Sequence, residues 1–230
     1  HNDSIAWGMT NTTVDNVDFY EEKVNPDNPK QYEYMGEWKD MEMSPEIIMI
    51  SDGTRIEDTI YYTWRGPVIS DITAPAGGVV TMHWTGAEIS NEMRSCYLLN
   101  RAGGWNDFRD ALTTFVSISQ NVVYADASGN IGLYCASGIP IRKRKEAVAI
   151  LPGWTDEYNW QGLVPFEELP YSFNPPEGFV ASANNRTVNQ DYPYHIGTWY
   201  SLPVRYDRIT EMLATGGQMS VDKFREIQLD

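Results

Sequence analysis

Cysteine and histidine are scarce in this chain. Cys96 and Cys135 lie too far apart for a CxxC redox or zinc pattern, and the histidines at positions 1, 83 and 195 show no HExxH spacing. No transition-metal centre is expected. The spacing of the two cysteines leaves open whether they close one disulfide or sit as two small buried side chains. Positive charge is also short, with 17 Lys and Arg against 32 Asp and Glu. A net charge of −15 repels phosphate backbones, so nucleic acid is not expected as a partner. No apolar run approaches the roughly 18 residues that a membrane helix needs, and no basic n-region with an apolar h-region marks a signal peptide. No membrane partner is expected. GxSxG, P-loop and GxGxxG motifs are all absent.

What is there is aromatic. Eight Trp and fourteen Tyr in 230 residues are typical of a packed chain and too many for a disordered one. The first half is strand-like: SIAWGMTN, VDFYEEKV, QYEYMGEW, EIIMIS, TIYYTW and VVTMHWTG are β-branched or aromatic stretches parted by Asn, Asp, Pro and Gly. Between Asn91 and Val116, apolar residues recur at helical spacing around Gly103-Gly104, which predicts two short helices. QNVVYADASGNIGLYCASGIPIR reads as a hairpin turning at Asp126–Asn130. Residues 150–178 read as an ordered, irregular, aromatic-rich loop. VRYDRITEMLATGG predicts a helix stopped at Gly216-Gly217, and SVDKFREIQLD another with Ser220 as N-cap. Fold class from these elements is α+β.

Candidate chemistry is sparse in the residues themselves. Adjacent carboxylates occur at Glu21-Glu22 and Glu167-Glu168, and both pairs are expected to be exposed charges. Arg142-Lys143-Arg144-Lys145 reads as a solvated loop or strand end. Asp15 and Asp18 are close enough to share a hard cation, although such pairs are usually solvated turns. The run Ala183-Asn184-Asn185-Arg186-Thr187 follows apolar Phe179-Val180 and is expected at the end of a buried strand. There, two carboxamides either cap the strand or face a ligand.

Several stretches together resemble the penicillin acylase family of N-terminal nucleophile hydrolases. They are HNDSIAWGMTN with Asp15 and Asp18, YADASGNIG, WQGLVPFEELP, VASANNRT with the following DYP, and DRITEML, in family order along almost the whole chain. The resemblance implies part of an αββα fold, with residues 1–230 as a single partial domain cut at both ends from the middle of an acylase β chain. It implies a self-cleaving precursor whose serine, exposed as the first β-chain residue, attacks an amide carbonyl with its own α-amine as base. That serine would precede His1, so the chain alone is expected to be inactive.

Residue by residue, the resemblance places an oxyanion donor at the Asn184 side chain and another at the backbone N–H of Asn11. It makes Arg208 the arginine that orients the nucleophile. It assigns a structural calcium to Asp15, the Val17 carbonyl and Asp18, but a later aspartate ligand falls near Ile196 and Asp191 is displaced by several residues. No organic cofactor is implied. The substrate would be a small amide such as a penicillin or an acyl-homoserine lactone. The partners would be the α chain and the remaining β-chain segments, and the location periplasmic or secreted. The competing reading is a non-catalytic binding or structural module with the same fold.

Overall fold

The computed structural model describes residues 1–70, 78–144, 149–215, 217 and 219–230. In chain order the strands are β1 (Ile5–Asn11), β2 (Val17–Glu22), β3 (Val24–Asn25), β4 (Asn28–Tyr34), β5 (Glu37–Asp40), β6 (Glu42–Met49), β7 (Arg55–Thr63), β8 (Gly66–Pro67) and β9 (Val79–Trp84). Helices α1 (Glu92–Leu99) and α2 (Trp105–Leu112) follow. After them come β10 (Gln120–Asp126), β11 (Ile131–Ala136), β12 (Pro140–Arg142), β13 (Leu151–Pro152), β14 (Trp160–Leu163) and β15 (Tyr171–Phe173). Helices α3 (Val204–Thr215) and α4 (Val221–Leu229) complete the order. Mixed sheets and four helices among the described residues make the chain α+β. Its contacts divide it into two compact units: His1–Asp15 with Ile89–Ile139 and Val164–Asp230, and Asn16–Glu88 with Pro140–Leu163.

The first unit is built on a four-stranded antiparallel sheet ordered β1-β10-β11-β15. Its central hairpin forms as the DASGN turn dictates. The Asp126 carboxylate accepts from the N–H groups of Ser128 and Asn130, each at 2.9 Å, and Gly129 adopts a positive φ. Helices α1 and α2 bury one stripe each. On α2 the stripe is Phe108, Ala111 and Leu112, at the i, i+3, i+4 spacing of a single face. Trp105 stacks on Phe108 at 5.3 Å and on Phe173 at 4.6 Å, and it meets Tyr124 edge-on at 5.2 Å. Gly132 permits this close approach, because a Cβ there would lie 2.5 Å from the Trp105 ring. The Ser220 hydroxyl caps α4 by accepting from the Lys223 N–H at 3.2 Å. Gly216 and Lys145 lie outside the described residues.

The second unit pairs β2 with β9 antiparallel and with β13 parallel, beside two three-stranded meanders, β3-β4-β5 and β6-β7-β8. QYEYMGEW is not one strand: it reverses at Met35-Gly36, both at positive φ, into the β4–β5 hairpin. Strand β2 departs further from expectation. Its inward face is Asp18, Tyr20 and Glu22, all buried, while Phe19 is exposed. Glu22 is therefore no surface charge. Its carboxylate accepts from the Thr81 hydroxyl at 2.7 Å and lies 3.7 Å from the Arg65 guanidinium, with both side chains sealed from solvent. The stretch 150–178 is mostly irregular, as its prolines and glycines require, with the short strands β13, β14 and β15 and a 3-10 turn at Phe166–Glu168 inside it.

Candidate functional site

Strand β1 ends at Asn11, opposite Gln120 of β10, whose side-chain amide donates to the Asn11 Oδ1 at 2.6 Å. Beyond it the chain bends sharply, with Thr13 at φ 55°. A return segment is fastened against this corner. Ser182 Oγ accepts from Thr10 Oγ1 at 2.7 Å and from Asn121 Nδ2 at 3.1 Å, and Gly197 packs so closely that a Cβ would meet the Thr13 carbonyl at 2.4 Å. The Asp15 N–H completes the seam by donating to the Ile196 carbonyl at 2.7 Å.

These contacts bring Asn184 to Asn11 across 173 residues: Asn184 Nδ2 donates to the Asn11 carbonyl at 2.9 Å. No strand leads into Asn184, contrary to the sequence expectation, because residues 179–185 are irregular. Asn184 itself takes φ 60°, a left-handed conformation that Asn tolerates better than other side chains except Gly. Asn185, by contrast, is buried in local work, accepting from the Ala183 N–H at 3.0 Å and donating to the Arg186 carbonyl at 3.0 Å.

The orientation of the Asn184 amide is fixed by chemistry. Arg205 Nη2 lies 2.9 Å from Asn184 Oδ1, and a guanidinium has only donors, so the atom facing it must be the carboxamide oxygen. The nitrogen consequently faces the Asn11 carbonyl and spends one of its two N–H groups there. A second N–H remains for another acceptor.

The hydrogen bonds of Arg208 go to two carboxylates. Its Nε and Nη2 donate to the two oxygens of Asp230 at 2.7 and 2.8 Å, and its Nη1 to Glu211 at 3.0 Å. These carboxylate hydrogen bonds hold its pKa above the usual guanidinium range. The arginine that touches Asn184 is Arg205, three residues earlier on α3, which the sequence reading missed. A pair of arginines at i, i+3 in VRYDR shares one helix face and was the available signal.

The cation candidates divide between the units, Asp15 in the first and Val17 and Asp18 in the second. Asp15 Oδ2 lies 3.4 Å from His195 Nε2. Asp18 is buried, and both of its oxygens are occupied: Arg142 Nε donates to Oδ2 at 2.8 Å, Arg142 Nη2 to Oδ1 at 3.1 Å, and Trp160 Nε1 to Oδ2 at 2.5 Å. Calcium requires a shell of oxygen ligands, whereas three N–H donors, two from a cation, surround Asp18. As arranged here its environment does not fit that ion. Among the described residues no group of three or more His, Cys, Asp or Glu side chains is gathered for a metal. His83 stacks on Trp160 at 3.7 Å, and burial holds its imidazole below the usual histidine range.

Neither cysteine forms a disulfide: Cys96 is exposed, and Cys135 is buried, its thiol pushed up to about 12 by desolvation. Arg144 and Lys143 pair with Glu157 and Asp156 on the surface, as a solvated strand end would, but Arg142 of the same run is buried against Asp18 and is no solvated charge. The first unit also holds a cavity of about 880 Å³ lined by Tyr171, Phe179, Asn185, Arg186, Tyr192 and Tyr206 among others; Asn11, Asn184 and Arg208 are not in its wall.

The family model for penicillin amidase matches residues 1–230. The chain is 28% identical over 232 residues to the acyl-homoserine lactone acylase QuiP of Pseudomonas syringae pv. syringae, covering 100% of this chain and 28% of that protein. It is 28% identical to the penicillin acylase 2 proenzyme of Pseudomonas sp., covering 100% of this chain and 30% of that protein. The solved structure of a thermostable penicillin G acylase from Alcaligenes faecalis superposes with a TM-score of 0.83 at 27% identity, over 100% of this chain and 41% of that one. The chain thus spans under a third of the length of these curated relatives. With a family match from the first residue to the last, this chain belongs to the penicillin amidase family.

Proposed function

We propose that this chain supplies the oxyanion site of an acylase that hydrolyses the amide bond of a small N-acyl compound. The observation that carries the reading is the Asn184 side chain seated on Asn11 at 2.9 Å, with its carboxamide oriented and one N–H left over. The nucleophile of the proposal is the N-terminal serine implied by the family resemblance, from a segment outside these 230 residues. Its hydroxyl oxygen bonds to the acyl carbon while its proton passes to the serine α-amine, and the carbonyl π pair moves onto oxygen. That oxygen accepts from the free N–H of Asn184 and the backbone N–H of Asn11. Collapse restores the carbonyl and expels the amine, which takes the proton, and water then releases the acid.

Penicillins and acyl-homoserine lactones are the substrate classes proposed, because relatives are named for acting on them. Both present an acyl amide beside a ring. Further parts of the proposal come from the family resemblance: autoproteolytic processing, an α chain and further β-chain segments as partners, and a periplasmic or secreted location. No helix among the described residues is long and apolar enough to cross a membrane. No step runs through calcium, since the carboxylate of Asp18 is already neutralised by Arg142. Arg208 is proposed to orient the nucleophile end, which requires it to release or share Asp230.

The test is Asn184→Gly in the full-length protein, assayed for acyl release from an N-acyl-homoserine lactone and from a penicillin. Glycine removes the donor while keeping the left-handed backbone. Loss of one oxyanion donor typically lowers kcat by roughly 10²–10³ with a much smaller change in KM. Wild-type kcat in this variant would reduce Asn184 to a turn residue.

A further inference from the structure

Among the described residues Arg205 is the charged side chain that touches Asn184, and its position is peculiar. It is the second residue of α3, at the positive end of the helix dipole, where a cation is disfavoured. The helix does not hold it there for its own benefit. Its Nη2 instead spends its two N–H groups on the return segment, at 2.8 Å from the Ala183 carbonyl and 2.9 Å from Asn184 Oδ1, with Ser201 Oγ at 3.4 Å sharing one of them. The Ser201 N–H closes the loop by donating to the Asn184 carbonyl at 2.9 Å. One guanidinium nitrogen therefore joins the backbone just before Asn184, the Asn184 side chain and the residue that holds the Asn184 carbonyl.

We infer that Arg205 is a positioning residue for the oxyanion donor, an inference that rests on the reading of Asn184 above. It fixes which end of the carboxamide faces the reacting oxygen. A free carboxamide turns about its last torsion between two nearly isosteric orientations, and only one aims N–H at the developing charge. A donor to Oδ1 selects that orientation, and a cationic donor also polarises the amide, strengthening the N–H groups at its other end. Arg205 touches no reacting atom in this scheme; it acts through Asn184.

Four variants of the full-length enzyme test this: Arg205→Met, Arg205→Gln, Asn184→Gly, and Asn184→Gly combined with Arg205→Met. Each is assayed for kcat, KM and Tm on one N-acyl substrate. Arg205→Met should lower kcat about 10-fold or more, in line with the sensitivity of catalysis to a misplaced group, with KM changed less than about two-fold. Arg205→Gln, whose amide can still donate to Asn184 Oδ1, should recover part of that loss. In the double variant the Met substitution should cost nothing further, because the side chain it orients is gone. If Arg205→Met keeps kcat within about two-fold of wild type while Asn184→Gly loses it, the positioning role is wrong and the oxyanion reading stands. A full additional loss in the double variant also overturns it. If Asn184→Gly itself keeps wild-type kcat, the oxyanion reading fails and Arg205 falls with it. Should Arg205→Met not fold, Arg205→Gln carries the comparison: its kcat must fall between wild type and Asn184→Gly, and a kcat equal to wild type refutes the need for a cation.

Discussion

Replacing Arg65 by Met would remove the cation that faces Glu22 in the interior of the second unit. The Arg65 guanidinium donates to the carbonyls of Gly153 and Thr155 at 2.7 and 3.1 Å and to Asn159 Oδ1 at 2.9 Å. It also lies over the rings of Tyr20 and Trp64, at 4.4 and 4.5 Å from their centroids. Methionine fills much of the aliphatic stem but returns none of these contacts. Glu22, with no side-chain exposure, keeps only the hydroxyls of Thr81 and Thr63. Breaking a buried pair from one side costs about 3–5 kcal/mol, which at about 2–4 °C per kcal/mol for a chain of this size lowers Tm by roughly 6–20 °C.

The pH dependence carries a second signature. Burial already holds the Glu22 carboxyl above the usual carboxylate range, against the pull of Thr81 and Arg65. Without Arg65 it rises further. A carboxyl raised in the folded state costs nothing below its unfolded value, where both states are protonated, and costs progressively more as pH climbs through the raised value. The deficit of Arg65→Met against wild type should therefore be largest well above the usual carboxylate range and shrink as pH falls back towards it. Differential scanning calorimetry across that range measures it. A deficit below about 1 kcal/mol, or one that does not change with pH, would refute the reasoning.

Asn184→Ala and Asn184→Gly should lose similar kcat, but the alanine variant should also be less stable by about 1 kcal/mol because of its positive φ; equal melting temperatures would count against a strained loop. Glu92 accepts from the N–H groups of Val116 and Ser117 and the hydroxyls of Ser90 and Ser117, and these bonds outweigh burial to hold it down at about 2. Its stabilisation should be present above the usual glutamate range and vanish as pH falls towards 2, so Glu92→Gln should destabilise at pH 7 and be neutral near pH 2 in urea unfolding. Any calcium drawn to Asp18 must compete with Arg142. Millimolar calcium should accordingly leave the wild-type Tm unchanged, and Arg142→Met should make Tm rise with calcium; a rise in wild type would mean that Asp18 exchanges its guanidinium for the metal.

Local chemistry was legible in the sequence wherever a short stretch settles its own conformation. The DASGN turn carries its own acceptor in Asp126, α2 announces its buried stripe at i, i+3, i+4, and Ser220 caps the helix that follows it. Family order was legible too, since it depends only on which residues succeed one another. Tertiary structure alone decided which face of β2 turns inward. By hydrophobic pattern Val17 and Phe19 belong inside, yet Asp18, Tyr20 and Glu22 are buried, because Arg142 and Arg65 arrive from 124 and 43 positions down the chain to neutralise the two carboxylates. The same holds at the candidate site. From the residues alone Asn11 reads as part of a strand, Asn184 as a strand-end carboxamide and Arg205 as a helix residue, with only the family resemblance giving Asn11 and Asn184 a shared role, and only the β1–β10 corner and the return segment bring the amide, the carbonyl and the guanidinium within hydrogen-bond reach. A hydrogen bond falls off over an ångström, so no sequence spacing of 173 residues can encode it; the packing that closes the loop must do so.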